Sequence, residues 1–350
     1  MLRMGFNGTW VKIIMKCLST VNYSVLLNGN PTATFSPSRG LRQGDPLSPY
    51  LFLLCAEGLS ALLRRGEADF LYRGVAVSKG GPRVTHLLFA DDCMLFFRAT
   101  TDECQVVMNI LDKYEAAFGQ KLNNDKTSIF FSTNTPTEAK EDIRNLMGAS
   151  HTNYIEQYLG LPSFVGRSKT KAFEDLSTKV WKKIQGWKEK LLSQAGRETL
   201  IKAVTQAIPV YAMSCFRILD GICASINSMS SNFWWGQRNN ERKMHWKSWD
   251  GLCSSKSGGG MGFRNLKLFN TALLAKQCWR ILHHPYSLIG QIFKGKYFPR
   301  GSFMEARIPT HSSFIWRSIA QAREVIVKGS RWCVGNGAAI NIWQDKWIPS

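Results

Sequence analysis

Two adjacent carboxylates, Asp91 and Asp92, lie between apolar runs, Leu87-Leu88-Phe89-Ala90 before them and Cys93 to Phe97 after them. A turn tolerates Asp, and the flanking Leu and Phe suit strands, so the stretch 84–97 reads as a tight β-hairpin with both acids at its tip. Like charges this close repel, which makes the pair costly unless cations share it. Magnesium suits carboxylate oxygens together with substrate phosphates. As a bare dipeptide the pair is more often a solvated turn, so the flanking segments decide the reading.

Upstream stands Arg39-Gly40-Leu41-Arg42-Gln43-Gly44-Asp45-Pro46-Leu47-Ser48-Pro49. Downstream stand Gly119-Gln120-Lys121-Leu122-Asn123-Asn124-Asp125-Lys126-Thr127-Ser128 and Tyr158-Leu159-Gly160-Leu161-Pro162. In this order and spacing they resemble motifs B, C, D and E of a reverse transcriptase palm, in the form found in plant non-LTR (LINE-like) retrotransposons. The resemblance runs over nearly the whole chain. From about Pro209 onward the chain also resembles a plant mitochondrial reading frame regarded as a relic of the same polymerases.

The resemblance implies RNA-directed DNA synthesis from a primer 3′-hydroxyl, with magnesium (manganese as the alternative), dNTPs, an RNA template and a DNA primer. Asp91 and Asp92 are the implied catalytic metal ligands, the first being the firmer. Phe89 and Ala90 lie beside the primer end. Gln43 and Gly44 belong to the loop beneath the templating pair, and Arg39 and Arg42 could contact template phosphates. Lys126 would protonate or neutralise the leaving pyrophosphate, with Gly119 and Asn123 shaping its loop. Tyr158, Leu159 and Gly160 resemble the primer grip. In the thumb, Lys182, Lys183, Lys188 and Lys190 would line the duplex, with Trp181 and Trp187 packing inward.

A third carboxylate, from motif A, is required upstream of motif B, yet residues 1–44 contain no Asp and no Glu. The expectation is therefore a truncated element, inactive alone, which a fingers and motif A polypeptide could complement. An alternative is a non-catalytic basic remnant that binds nucleic acid. A decayed fragment that folds poorly is the third reading.

Charge separates the halves. Residues 1–178 hold 19 Lys and Arg against 17 Asp and Glu, whereas residues 179–350 hold 26 against 8, and eleven of the twelve Trp lie in that second stretch. Basic residues interleaved with aromatics suit a surface that tracks a nucleic-acid backbone. A solvated basic face over a Trp-rich core is the plainer alternative, and Trp234, Trp235, Trp246 and Trp249 are expected in the core. The nine Cys are scattered with no Cys-x-x-Cys and no zinc spacing, as in a reducing compartment. No apolar run approaches membrane-spanning length. The expected location is intracellular: nuclear by resemblance, with the mitochondrion as the alternative. No hydrolase triad stands out.

The expected fold class is α+β. A partial polymerase palm, an antiparallel sheet with helices, occupies residues 1–166. A mostly helical thumb and connector occupies 167–330. A β-hairpin around Gly335-Asn336-Gly337 occupies 331–350 and leads toward a zinc-binding region. Helices are expected over 1–20, 48–65, 102–118, 136–147, 172–192, 194–208, 221–235, 265–283, 287–297 and 312–328, with Ser48 capping the second and Thr101 the third. Strands are expected over 21–28, 32–36, 75–77, 127–132 and 154–159.

Overall fold

The computed structural model describes residues 1–38, 40–148, 157–163, 165–166, 168–188, 192–237, 243–331, 333–338, 340–343 and 346–348, with the backbone alone for Gln157 and Lys188. The fold is α+β, as the sequence led one to expect. It forms two compact units, residues 1–75 with 83–154 and residues 76–82 with 155–350. The sequence placed the break at residue 166. The segment 157–162 falls in the second unit because Leu161 and Val165 pack against that unit's core.

In the first unit, α1 (Gly8–Ser19) starts at Asn7, whose side chain accepts the Thr9 N–H at 2.8 Å. Ile14 is its buried residue, while Trp10, Ile13 and Met15 are exposed. β1 (Leu26–Leu27) and β2 (Asn30–Pro31) pair across Asn28-Gly29. Both turn residues have positive φ, 51° and 84°, which matches the twist of the flanking strands. The strand expected over 21–28 shrinks to β1 and one bridge between Tyr23 and Phe35.

α2 (Ser48–Ala68) is preceded by Leu47 at the cap position, with Pro49 in the first turn. Ser48, expected as the cap, is instead the first helical residue, and the Asp45 carboxylate accepts the Leu47 N–H at 2.8 Å. Short strands β3 (Val75–Ala76) and β4 (Arg83–Val84) precede the hairpin of β5 (His86–Phe89) and β6 (Asp92–Leu95). α3 (Thr101–Phe118) starts after Thr100, one residue before the expected cap, with Asp102 and Glu103 at the positive end of its dipole. Gly119 closes it at φ 69°. α4 (Thr137–Met147) follows Pro136. No strand forms over 127–132.

The core of this unit joins Leu59 and Leu63 of α2 to Val107, Ile110 and Tyr114 of α3, with Leu88 and Leu95 of the hairpin packed on it. Gly66 permits this approach. A Cβ there would stand 3.0 Å from both Ile110 and Tyr72.

In the second unit, β7 (Gln157–Tyr158) and β8 (Leu161–Pro162) lead into α5 (Lys169–Lys188). Phe173, Leu176, Val180, Ile184 and Trp187 recur every three or four residues along one side of α5 and face the core, as an amphipathic helix requires. α6 (Gln194–Leu200) continues into a π-helical turn at Ile201–Thr205. Then come α7 (Val210–Cys215), α8 (Asp220–Trp234), α9 (Trp249–Cys253), α10 (Leu266–His283), α11 (Leu288–Tyr297), α12 (Phe314–Gln321) and α13 (Arg323–Gly329). The pattern over 312–328 thus breaks at Ala322 into two helices.

Buried Asn270 ties three turns together. Its amide donates to the Met213 and Phe216 carbonyls and its oxygen accepts the Ile218 N–H, at 2.7, 2.9 and 2.8 Å. A second cluster gathers Leu274, Cys278, Ile281 and Phe293 around Trp316. Trp234 is buried, but Trp246, expected in the core, is exposed.

Among the described residues of 331–348 there is no strand, so the C-terminal hairpin is not found there. Asn side chains take the backbone instead: Asn336 accepts the Ala338 N–H and Asn341 the Trp343 N–H. Such local bonds compete with strand pairing. Among the described residues no helix is long and apolar enough to cross a membrane.

Candidate active site

The carboxylate pair stands where the sequence placed it. Phe89 pairs with Asp92 and Leu88 with Cys93, leaving Ala90 and Asp91 as a two-residue turn. Ala90 has φ 49°, an uncommon conformation for a side chain other than Gly, Asn or Asp. Backbone strain of this kind gathers at functional sites. Asp91, Asp92 and Phe89 are all exposed. Among the described residues neither Asp makes a side-chain hydrogen bond or an ion pair, so both carboxylates face solvent with their oxygens free.

This donor set fits a hard divalent cation, which keeps several waters and takes one or two protein carboxylates. Among the described residues no group of three His, Cys, Asp or Glu gathers at one point, so two carboxylates are what this site offers.

Gln43 and Gly44 form an exposed turn closed by the Asp45 N–H to the Arg42 carbonyl at 3.3 Å. Gly44 has φ 90°, the value that the third position of a type II turn requires and that glycine supplies without strain. Arg42 is exposed, and Arg39 lies outside the described residues. Lys126 sits in an exposed turn built by Asn123, whose carbonyl and side chain accept the Lys126 and Thr127 N–H groups. Among the described residues no ion pair joins Lys126 to Asp91 or Asp92. Gly119 ends α3 ahead of that turn.

In the second unit, Leu159 and Gly160 are the two turn residues between β7 and β8, at φ 51° and 75°. Lys182 and Lys183 are exposed on α5, while Lys188 is described by its backbone alone and Lys190 lies outside the described residues. Trp187 packs 5.7 Å from Phe233 as expected, but Trp181 is half exposed.

A polar network beside the hairpin escaped the sequence reading. His86 opens β5. Its Nε2 lies 2.8 Å from the Ser60 hydroxyl on α2, and its Nδ1 lies 2.8 Å from the Thr85 hydroxyl. Arg64 donates to Ser60 at 2.7 Å and to Glu57 at 2.6 Å. The hydroxyl of Ser60 accepts from Arg64, and the tautomer of His86 sets which of Ser60 Oγ and Nε2 donates to the other. The signal was the i, i+4 pair Ser60 and Arg64 on one face of a helix, which becomes meaningful once His86 is docked against it.

Burial, and then the nearby Arg64 guanidinium, lower the pKa of His86 below its ordinary 6.5. The folded chain therefore resists a proton that the unfolded chain accepts. Stability is full above pH 6.5 and falls as pH drops below that value. The thermal midpoint is expected to fall between about pH 7 and pH 5, and His86→Gln to flatten that slope. An unchanged slope in the variant would remove His86 as the cause.

Comparison with known proteins covers the hairpin and its flanks. Residues 2–163 match the family described as reverse transcriptase (RNA-dependent DNA polymerase). An uncharacterized mitochondrial protein of Arabidopsis thaliana is 45% identical over 143 residues, which cover 41% of this chain and 93% of that protein. The reverse transcriptase match covers the carboxylate hairpin and its flanks, a little under half of the chain. A putative ribonuclease H protein of Arabidopsis thaliana is 36% identical over 192 residues, 54% of this chain and 31% of that protein. The retrovirus-related Pol polyprotein of a type-2 retrotransposable element of Drosophila melanogaster is 29% identical over 168 residues, 44% of this chain and 15% of that protein.

The chain thus spans nearly all of the first relative and a third or less of the other two. The motif resemblance to non-LTR retrotransposon reverse transcriptases, and the resemblance to a plant mitochondrial reading frame, are both borne out. Enzymes of this family use divalent metal ions, a nucleic-acid template and nucleotide substrates.

Proposed function

We propose that the first unit carries the metal-holding hairpin of an RNA-directed DNA polymerase of non-LTR retrotransposon lineage. The single observation that carries the reading is the strained turn that sets Asp91 and Asp92, without a partner among the described residues, at one exposed tip. Asp91 and Asp92 would hold magnesium, or manganese in its place. The metal would neutralise charge on the transferring phosphoryl group and favour ionisation of the primer 3′-hydroxyl.

The chain's own residues orient the partners. Ala90 and Phe89 stand beside the primer end. Gln43 and Gly44 lie beneath the templating pair, where a bare glycine allows close approach and Gln offers both a donor and an acceptor. Arg39 and Arg42 hold template phosphates. Lys126 neutralises the departing pyrophosphate. Tyr158, Leu159 and Gly160 turn against the primer, and Lys182, Lys183, Lys188 and Lys190 follow the duplex.

Two carboxylates are one short of a shared two-metal site. The residues preceding the Gln43-Gly44 turn contain no acid to complete it. Residues 1–350 alone are therefore expected to extend no primer on a homopolymer RNA template with magnesium or manganese. A co-supplied fingers and motif A polypeptide is expected to restore extension. The exposed apolar side chains Trp10, Ile13, Leu26 and Leu27 support such a partner. Extension by the chain alone would show that the third acid is dispensable.

A second reading rests on the charge of residues 179–350, where 26 Lys and Arg face 8 Asp and Glu. A nucleic-acid binder without catalysis would shift RNA in a gel, with affinity that falls steeply with salt. The mitochondrial names of two relatives favour that organelle over the nucleus. Import of a tagged chain into isolated mitochondria tests the choice.

A further inference from the structure

The second unit contains a cleft of about 300 Å³ lined by Lys169, Arg217, Asp220, Phe314, Arg317 and Gln321. Three distant stretches meet there: the first residue of α5, the link into α8, and one face of α12. The lining carries three cations and one acid, and that acid is already paired, since the Lys267 ammonium holds Asp220 at 2.6 Å. Among the described residues no carboxylate forms an ion pair with Lys169, Arg217 or Arg317.

Two of the three cations are nonetheless held in place. The Lys169 ammonium stands 4.8 Å above the Phe314 ring. Arg217 Nη1 donates to Gln321 at 3.1 Å, and the Arg217 backbone N–H donates to the Ser318 hydroxyl at 2.9 Å. Arg317 also lines the cleft, and its buried Nε has no hydrogen-bond partner among the described residues. A buried donor left unmade costs about 1–3 kcal/mol, and more when charged, so the protein leaves this guanidinium under-satisfied.

α8 adds to the field. It runs for 15 residues, and its cap position, Leu219, offers no side chain to the first N–H groups. The positive end of its dipole therefore opens at the cleft.

We propose that this cleft binds a phosphate group. Two guanidiniums, whose planar forks match phosphate oxygens, and an ammonium suit a doubly charged oxyanion better than a carboxylate. The volume is at the small end of ligand sites, enough for a phosphoryl group with part of its ester. The phosphate can come from a nucleic-acid backbone or from a free phosphoanhydride, and both present the same chemistry. None of the residues assigned to polymerisation takes part, so the inference does not rest on that reading, although Arg217 and Arg317 belong to the basic stretch of the second reading.

The test is calorimetric titration of the full chain with pyrophosphate and, separately, with a short oligothymidylate at two salt concentrations. The variants are Arg317→Gln and the double Lys169→Gln, Arg217→Gln, each checked for an unchanged thermal midpoint. Binding of at least one probe is expected to weaken roughly tenfold or more. If the oligonucleotide is the one affected, its salt slope is expected to fall by about 0.7 for each phosphate no longer neutralised. Weakening of pyrophosphate alone assigns a free phosphoanhydride as the source, and weakening of the oligonucleotide alone assigns a backbone.

A measurement on the unaltered chain covers the case of a variant that does not fold. Phenylglyoxal labelling of Arg217 and Arg317, read by mass spectrometry, is expected to slow in the presence of the bound probe while exposed Arg307 reacts unchanged. Full affinity for both probes in folded variants, or labelling that neither probe slows, overturns the proposal.

Discussion

Asp91→Asn combined with Asp92→Asn is expected to abolish primer extension by the chain reconstituted with a fingers and motif A polypeptide, and to leave the fold intact. Both side chains are exposed and unpaired among the described residues, so the isosteric change breaks no internal bond. Surface changes of this kind usually move stability by less than about 0.5 kcal/mol. Neutralising two adjacent like charges works in the stabilising direction. Activity is a different matter. Losing the acids that hold the metals removes several kcal/mol of charge stabilisation in the transition state, and each 1.36 kcal/mol is a factor of ten. The expected loss is roughly a thousandfold or more. The comparison needs extension rates, thermal midpoints and RNA gel shifts on the same preparations. Midpoints and shifts should match the unaltered protein. Extension at the original rate would remove the pair from the chemistry, and a collapsed midpoint would mean that the hairpin needs the acids to fold.

The hairpin was legible because its pattern is local. Apolar runs on either side of two acids fix strands, turn and register within ten residues. Several helix starts were legible to within one residue, as at Thr100 and Leu47, but α1 begins seven residues after the expected start and α5 three residues before it. Strands were read less well. The stretches 21–28 and 127–132 alternate as strands do, yet form little or no ladder, since a strand exists only when a neighbour pairs with it. Composition names the residues that could pair and is silent on the neighbour. The same limit hid the functional geometry. His86 became informative only when docked on Ser60, and the cleft of Lys169, Arg217 and Arg317 assembles residues that no spacing rule connects. Trp246 shows the reverse error, because an aromatic residue in a Trp-rich stretch invites a core assignment that its 80% exposure denies.

Trp316→Ala is expected to be the most damaging single change to the second unit. Trp316 is fully buried on α12 and touches rings on several sides. Tyr297 stacks on it at 4.4 Å, Phe298 lies at 5.8 Å, and Phe293 and Phe303 meet it edge-on at 5.2 and 5.9 Å. Removing the indole leaves a cavity at the point where α10, α11 and α12 converge, and such truncations cost about 3–5 kcal/mol. In a unit of this size each 1 kcal/mol is worth about 2–4 °C, so the midpoint of the affected transition should drop by roughly 6–20 °C. Trp316→Phe separates packing from hydrogen bonding. The indole Nε1 is buried without a partner among the described residues, so phenylalanine removes an unsatisfied donor while it keeps most of the ring packing. Its cost should be less than half that of alanine. The rest of the chain supplies the internal control. Trp316 belongs to the second unit and Tyr72 to the core of the first, so hydrogen exchange should quicken around Trp316 and stay unchanged around Tyr72. A Trp316→Ala variant that melts with the unaltered protein would show that this cluster is not what holds the C-terminal helices together.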